Sequence, residues 1–392
     1  MKATQQIVSG LLASALMLSV AAKAEEAVIS PVQLVNTLQN AQAQIAQGDS
    51  AAYAAQPKLL REISEAFSAA KPEVWQKSRN AHAAVIYLLS GGQPRVFMRL
   101  LEGGNIPKDD ENLMKGALAY ELGHEAEARQ LLGALDPKSL ELTLGGQIAF
   151  VQSILLTTVD TKKAVALLDL ARLLSPGGLI EEAALRREVA LVGDIARDAD
   201  KFMALAGQYM SRFPKSPYAD SFLKGFTAAL LRLRLPEDVA NFPKLEGMTA
   251  NLTRDDRRGL FLTIARAALV SGKIAMADVA ASKALTLAAA DSVDAARGRL
   301  YQAAGRTLTD QYEAGLAELQ AIDPKKLPKR DAALLAAARN VAARLREATS
   351  AVSAANAPTA APGQQDDSAS ATIHLAEAAL LKAQSVQSAG GP

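Results

Sequence analysis

Apolar residues along this chain recur at intervals of three and four positions, in segments that are separated by polar or glycine-containing breaks. Ile86 and Leu89 lie in one such segment, and Val96, Leu100 and Leu101 lie in the next. This spacing places the apolar side chains on one face of an α-helix, and each segment is roughly ten to sixteen residues long. The pattern therefore predicts helical hairpins in series.

Turn signals mark the breaks at regular distances from Pro31 to about Ala348. They are Gly48-Asp49, Gly91-Gly92, Gly103-Gly104, Gly123-His124, Asp136-Pro137, Pro176-Gly177-Gly178, Phe213-Pro214, Gly272-Lys273 and Asp323-Pro324. Glycine and proline favour turns because of their unusual backbone freedom and rigidity. We also interpret the Gly-Gly pairs at 91, 103, 145 and 177 as helix stops. Alanine and leucine dominate the chain and strand-like runs are nearly missing, which predicts an all-α fold.

Several hairpins resemble tetratricopeptide repeats, whose period is about 34 residues. Ala164, Leu168, Ala171 and Pro176 follow that family's order of small, large apolar, small and proline residues on the second helix. Small residues allow close helix packing, and the proline ends the helix. We therefore predict a tetratricopeptide-like α-solenoid of helical hairpins over residues 25–349.

Further units match this pattern less regularly. One unit has Phe261, Ile264, Ala265, Ala268, Gly272, Ala277, Ala281 and Ala284 at the expected places, and another has Gly116, Tyr120, Gly123, Ala128 and Leu132. In the latter unit Pro137 comes about three residues early for the repeat. Weaker units cover residues 209–220 and 311–324. The repeats are therefore predicted to be degenerate.

The first 24 residues have the pattern of a secretory signal peptide. A single lysine precedes the uncharged apolar run IVSGLLASALMLSVAA, and Ala22-Lys23-Ala24 forms a small-x-small cleavage pattern. The alternative is a membrane anchor, but the run is short for a span, and no later stretch is suitable for one. We predict cleavage after Ala24 and export of the mature protein. The absence of cysteine excludes disulfide bonds.

The C-terminal end differs in composition from the rest. Residues 350–371 contain no lysine, arginine or aromatic side chain, which predicts a disordered linker. Helical spacing resumes in residues 372–392, where Ile373, Ala376, Leu380 and Leu381 share one side of a short amphipathic helix. Two roles remain open for that helix: it caps the stack, or it is a tethered peptide for a partner.

Motifs that carry catalysis or bind a metal or cofactor are missing from the sequence. No cysteine nucleophile, HExxH, G-x-S-x-G, P-loop or GxGxxG is present. The three histidines, His82, His124 and His374, do not have metal-ligand spacing. Carboxylate runs at 109–111, 181–182 and 255–256 precede or begin predicted helices, where negative charge complements the helix dipole. We predict no enzyme activity, and no cofactor or metal.

Basic clusters are the remaining candidates for function. Arg186-Arg187 and the group Arg254, Arg257 and Arg258 are interpreted first as exposed helix faces that pair with nearby Glu182 or Asp255. The alternative is partner recognition. In tetratricopeptide folds the first helix of each pair lines the concave groove, and in that register Tyr120, Glu121, Arg187 and Arg266 would face it. Arginine and tyrosine are enriched among residues that dominate interface energies.

Four blocks of the sequence resemble the MotC family of exported bacterial motility proteins. They are NAHAAVIYLLSGGQPRVFMRLLEGG, LMKGALAYELGHEAEARQLLGALDP, KAVALLDLARLLSPGGLIEEAALRREV and YMSRFPKSPYADSF. The resemblance spans roughly residues 32–348 and the signal peptide, and it depends on overall pattern. It implies a periplasmic accessory of the flagellar motor that binds and stabilises the periplasmic part of the stator protein MotB.

Two rival functions remain beside this one. FPKSPYAD is similar to repeats of outer-membrane assembly proteins, which favours a general periplasmic scaffold or a chaperone-like solenoid. A glycan-active enzyme is the other rival, although no local sequence suggests an apolar pocket for its general acid. Nucleic acid is not an expected partner, because the formal net charge is only +2.

Overall fold

The computed structural model describes residues 30–355. The predicted signal peptide (1–24), the predicted C-terminal helix (372–392) and residues 356–371 of the predicted linker lie outside the described residues. Within residues 30–355 the chain forms seventeen α-helices and no β-strand. The predicted all-α fold of packed helical hairpins is therefore confirmed.

The helices follow one another with short turns and a few 3₁₀ segments between them. They are α1 (Pro31–Ala46), α2 (Ser50–Ala69), α3 (Ser78–Leu89), α4 (Pro94–Glu102), α5 (Glu111–Glu121), α6 (Glu125–Gly133), α7 (Leu142–Leu156), α8 (Thr161–Leu174), α9 (Leu179–Leu191), α10 (Ala199–Arg212), α11 (Ala219–Arg232), α12 (Phe242–Met248), α13 (Arg254–Val270), α14 (Ile274–Leu287), α15 (Val293–Arg306), α16 (Tyr312–Ala321) and α17 (Lys329–Ala355).

These helices form two compact units. Unit 1 contains residues 30–40 and 55–132, and unit 2 contains residues 41–54 and 133–355. In unit 1, α3, α4 and α5 contact one another. Its aromatic residues cluster around Phe67, whose ring centroid lies 5.1 Å from that of Trp75 and 5.0 Å from that of Tyr87, both in edge-on geometry.

The helices of unit 2 lie in two layers. Helices α7, α9, α11, α13, α15 and α17 contact one another in succession and form the first-helix layer. Each of α8, α10, α14 and α16 packs on the preceding member of that layer, and α12 contacts α10 and α14. The first-helix layer holds the first member of each hairpin, as the tetratricopeptide register expects.

A continuous apolar core runs through unit 2 from α9 to α17. Aromatic side chains concentrate at its α10–α11 end, where the rings of Tyr209 and Phe222 stack with centroids 3.7 Å apart. Phe226 stacks on Phe202 at 5.4 Å. These aromatic side chains therefore lie inside the core of unit 2 and not on the surface of the protein, because large rings bury the most apolar area.

The positions that suggested repeats occupy the packing face of their helices. Ala164, Leu168 and Ala171 are buried on α8, and α8 ends at Leu174, just before Pro176. The turn that follows has Gly177 at φ +83°. The left-handed backbone region suits glycine because it has no Cβ. Small residues at these sites allow the close packing that the repeat pattern predicts.

One turn assignment from the sequence is wrong. Gly145 and Gly146 do not stop a helix; both are buried inside α7. A Cβ on Gly145 would overlap the backbone carbonyl of Pro137, and one on Gly146 would overlap Ser175. Glycine at these positions therefore allows neighbouring chain segments to approach α7 closely. Local sequence does not distinguish this role of glycine from a helix stop.

Candidate partner-binding surface

The two histidines within residues 30–355, and several of the carboxylates that sequence analysis considered, have structural contacts. His374 lies outside the described residues. In unit 1, His82 Nε2 lies 2.9 Å from Asp110 Oδ1, and both side chains are largely buried. Glu111 pairs with Lys115 at 2.9 Å, and this ammonium lowers the pKa of Glu111. His124 lies at the exposed turn after α5, 3.8 Å from Glu127. Within residues 30–355 no group of three or more histidines or carboxylates could hold a metal ion.

Arg187 lies on α9 and is half-buried. Its Nη2 donates a hydrogen bond of 2.8 Å to Thr157 Oγ1, at the C-terminal end of α7. The guanidinium therefore links two neighbouring helices of the first-helix layer. A planar group held in this way loses less conformational entropy when it binds a further partner.

Arg266 lies on α13 in the same layer and takes part in a line of charges across three helices. Its Nε lies 3.4 Å from Asp331 on α17. The remaining members of this charge ladder, with their nitrogen–oxygen distances, are Arg258–Asp294 (2.6 Å), Arg297–Asp294 (3.1 Å) and Arg297–Asp331 (2.9 Å). The ladder holds α13, α15 and α17 together, and the side chain of Arg266 remains one-third exposed (34%) at its edge.

A buried tyrosine completes the ladder. The hydroxyl of Tyr301 donates a hydrogen bond of 2.8 Å to Asp331. Burial raises the pKa of this phenol, and the adjacent carboxylate acts in the same direction. The carboxylate of Asp331, only 4% exposed, thus accepts from a phenol as well as from guanidinium groups. A buried charge of this kind is stable only with such partners.

Tyr120 and Glu121 lie on α5 in unit 1, and each is half-buried. Burial raises the pKa of the Glu121 carboxyl. Arg187 and Arg266 belong to unit 2, so the four predicted partner-binding residues divide between the two units. Within unit 2 the structure places both arginines on the first-helix layer, on helices that are separated by α11. Their role in binding stays a prediction.

The expected pairing with nearby carboxylates is confirmed for one arginine of each basic cluster, whereas Arg254 donates to the backbone carbonyl of Leu287. Arg186 lies 3.3 Å from Glu182 one turn earlier on α9, and Arg258 lies 2.7 Å from Asp255 on α13. Glu182, however, is completely buried and also accepts a 2.6 Å hydrogen bond from Tyr209. Arg186 in turn lies over the ring of Tyr218, 4.8 Å from its centroid. The pair of Arg186 and Glu182 therefore belongs partly to the buried core and only partly to a solvent-exposed helix face.

Sequence reasoning missed a charge network around a fully buried carboxylate of unit 2. Glu188 on α9 is fully buried and lies 2.7 Å from Arg172 on α8 and 2.8 Å from Lys201 on α10. Asp169 contacts the same two cations, each at 2.9 Å. These four residues form a closed charge ring that joins α8, α9 and α10.

The pKa values in this ring follow from burial and pairing. Burial raises the pKa of Glu188, although the hydrogen bonds from Lys201 and Arg172 act to lower it. Burial alone would lower the pKa of Lys201, but its contacts with Glu188 and Asp169 raise it. The sequence carried one usable signal: Glu181, Leu185 and Glu188 have helical spacing, which places Glu188 on the same face as a core leucine.

Comparisons with known proteins place the chain beside a family of chemotaxis proteins. The model of a family described as "Chemotaxis protein MotC" matches residues 1–389. The chemotaxis protein MotC of Rhizobium meliloti (strain 1021) is 28% identical over 337 residues, which cover 86% of this chain and 77% of the relative. No solved structure matches the chain. In the described region, residues 30–355, we find no helix with the length and apolar character to cross a membrane.

Proposed function

This chain belongs to the MotC family of chemotaxis proteins, and on that premise we propose that it is a non-enzymatic periplasmic accessory of the flagellar motor. In this proposal it binds and stabilises the periplasmic part of the stator protein MotB. The observation that carries the proposal is the family match over residues 1–389, which extends beyond any single repeat. A weak resemblance between helical repeats alone would not cover the chain in this way.

Export supports the periplasmic part of the proposal. Residues 1–24 have the charge, apolar run and small-residue site of a cleaved signal peptide.

The first-helix layer of unit 2 supports the binding part. Stacked helical hairpins offer a long surface that needs little rearrangement on binding. Arg187 and Arg266 lie in this layer, and intramolecular contacts hold both guanidinium groups in place. Arginine presents a planar fork of donors, and it is over-represented where a carboxylate is recognised by two parallel hydrogen bonds. We propose that both arginines contact MotB.

Charge reversal at these arginines tests the binding site. We expect purified chain carrying Arg187→Glu and Arg266→Glu to bind an immobilised MotB periplasmic fragment at least about tenfold more weakly, since buried interface charges contribute more than 2 kcal/mol. The matched control is Lys162→Glu with Lys163→Glu. This control makes the same charge change on exposed positions of α8, outside the first-helix layer.

Circular dichroism must show the same helix content in all variants, because Arg266 also contacts the charge ladder. Unchanged binding by the folded arginine variant would refute the arginine site, as would an equal loss in the lysine control. Failure of the wild-type chain to bind the fragment would refute the MotB proposal itself. In that case the scaffold alternative predicts envelope defects on gene deletion, whereas a motor accessory predicts paralysed flagella.

A further inference from the structure

A groove lies between α16 and α17, at the C-terminal end of unit 2. Its volume is about 580 Å³. Six residues line it: Leu316, Gln320, Arg339, Ala343, Arg346 and Glu347. Leu316 and Ala343 are apolar and the other four lining residues are polar or charged, and such a mixed lining suits an amphipathic segment.

The groove occupies the last position of the helical stack that the structure describes. Every earlier helix of the first-helix layer is followed by another, and among residues 30–355 nothing follows α17. Val341 on α17 remains 39% exposed, and Ala343 is also exposed. Repeat stacks need a terminal element to cover the apolar face that each interior repeat buries against its neighbour.

The walls of the groove are fixed by hydrogen bonds. The Arg339 guanidinium donates to the carbonyls of Leu319 at 2.8 Å and Ile322 at 2.9 Å, at the C-terminal end of α16. The hydroxyl of Tyr312 donates to the carbonyl of Ala342 at 2.6 Å. These bonds hold α16 and α17 at a set separation, so the groove exists before anything occupies it.

We propose that the chain's own C-terminal segment, residues 372–382, binds in this groove and caps the stack. Ile373, Ala376 and Leu380 have the spacing of one apolar helix face. That face is the part of the segment that matches Leu316 and Ala343, the apolar residues of the groove lining.

The length of the connection permits this contact. Ala343 precedes Ala355, the last described residue, by about 18 Å of α-helix at 1.5 Å per residue. Sixteen residues, 356–371, then lead to the segment. A linker of that length has an r.m.s. span of about 22 Å, close to the distance it must return. Because the length of the linker matches the distance to the groove, the effective local concentration of the segment is on the order of millimolar. A weak contact is then enough to keep the segment bound.

Charge also favours the C-terminal segment as occupant. The basic residues of α17 outnumber its acidic ones: Lys329, Arg330, Arg339, Arg344 and Arg346 against Asp331 and Glu347. Residues 356–382 have the opposite balance: Asp366, Asp367 and Glu377 against Lys382. The two parts of the chain therefore attract each other, and this attraction should weaken with salt.

The absence of native cysteine allows a direct test by disulfide trapping in the full chain. We expect Ala343→Cys with Leu380→Cys to form an intramolecular disulfide at least about tenfold faster than Arg344→Cys with Leu380→Cys. Arg344 is exposed, does not line the groove and lies one residue away. Its tether is thus the same length, but its side chain points about 100° away around the helix.

Each outcome of the trapping experiment decides the proposal. A faster intramolecular bond at Ala343, measured at low protein concentration by non-reducing electrophoresis and mass spectrometry, supports it. Equal rates for the two pairs, no disulfide at all, or only concentration-dependent dimers would overturn it; dimers would assign the groove to a second copy. No partner protein is present, so the result is independent of MotB binding.

A second measurement does not depend on cysteine geometry. We expect Ile373→Asp with Leu380→Asp to increase amide hydrogen exchange in α16 at least about fivefold, as the loss of a local packing contact does. Deletion of residues 372–392 should give the same increase. Unchanged exchange in both variants would contradict the proposal.

Discussion

Replacing Glu188 by alanine would leave two cations of unit 2 without the carboxylate that lies between them. Arg172 on α8 lies 2.7 Å from this carboxylate and Lys201 on α10 lies 2.8 Å from it. The Glu188 side chain is 0% exposed, and that of Arg172 is only 16% exposed. Once the carboxylate is removed, water therefore solvates the positive charge of the Arg172 guanidinium poorly.

The magnitude follows from this burial. Removing one partner of a buried ion pair costs about 3–5 kcal/mol of unfolding free energy. We expect the lower end, about 3 kcal/mol, because Asp169 still contacts both cations and Lys201 is partly solvated. Asp169→Ala is the matched control in the same ring. Its side chain is about half exposed (48%), and an exposed ion pair contributes only about 0–1 kcal/mol.

Urea unfolding followed by far-ultraviolet circular dichroism measures both costs, and hydrogen exchange in α8–α10 locates them. Trp75, the single tryptophan, lies in unit 1, so its fluorescence reports on residues outside the ring. An Asp169→Ala variant that loses as much stability as Glu188→Ala would refute the reasoning. So would a Glu188→Ala variant in which exchange rises equally in all helices.

Three other substitutions test two separate features. Burial raises the pKa of Glu121, so the folded chain binds this proton more tightly than the unfolded chain, and stability falls as pH rises through the raised pKa. Glu121→Gln should therefore unfold at higher urea concentration than wild type at pH 7, and this gain should vanish in acid; no gain at pH 7 would contradict the burial effect. Gly145→Ala should lose about 1–3 kcal/mol through overlap with the Pro137 carbonyl. Gly225→Ala, inside α11 where an added Cβ would meet no neighbouring segment within 4 Å, should gain up to about 1 kcal/mol; equal effects in thermal unfolding would exclude close packing as the reason for Gly145.

Much of the fold followed from signals that are local in the sequence. The turn signals at Gly123, Gly177 and Gly272 coincide with glycines at positive φ between helices, because a left-handed residue depends mainly on its immediate neighbours. The buried faces of α8 and α13 followed from helical spacing in the same way. Gly145 is the exception, since its reason for being glycine is a carbonyl of another segment.

The candidate site was less accessible to sequence reasoning. Pairs within one helix, such as Arg186 with Glu182, are neighbours by geometry alone and were expected. The pairing of Arg266 with Asp331 joins residues that are far apart in the chain, so it appears only once α13 and α17 are packed. For the same reason Arg266, which the sequence predicts to bind a partner, also has a structural role.

The sequence by itself thus determined the helices and their turns, since periodicity and turn residues act over a few positions. It also carried the pattern by which the chain resembles one family. Only the tertiary structure decided which charges are buried and paired. The carboxylates of Glu188 and Asp331 are compensated by cations and a phenol from other helices, and no local pattern in the sequence identifies these partners. The physical reason is that the free energy of a buried charge depends on groups within a few ångströms in space, which chain distance does not specify.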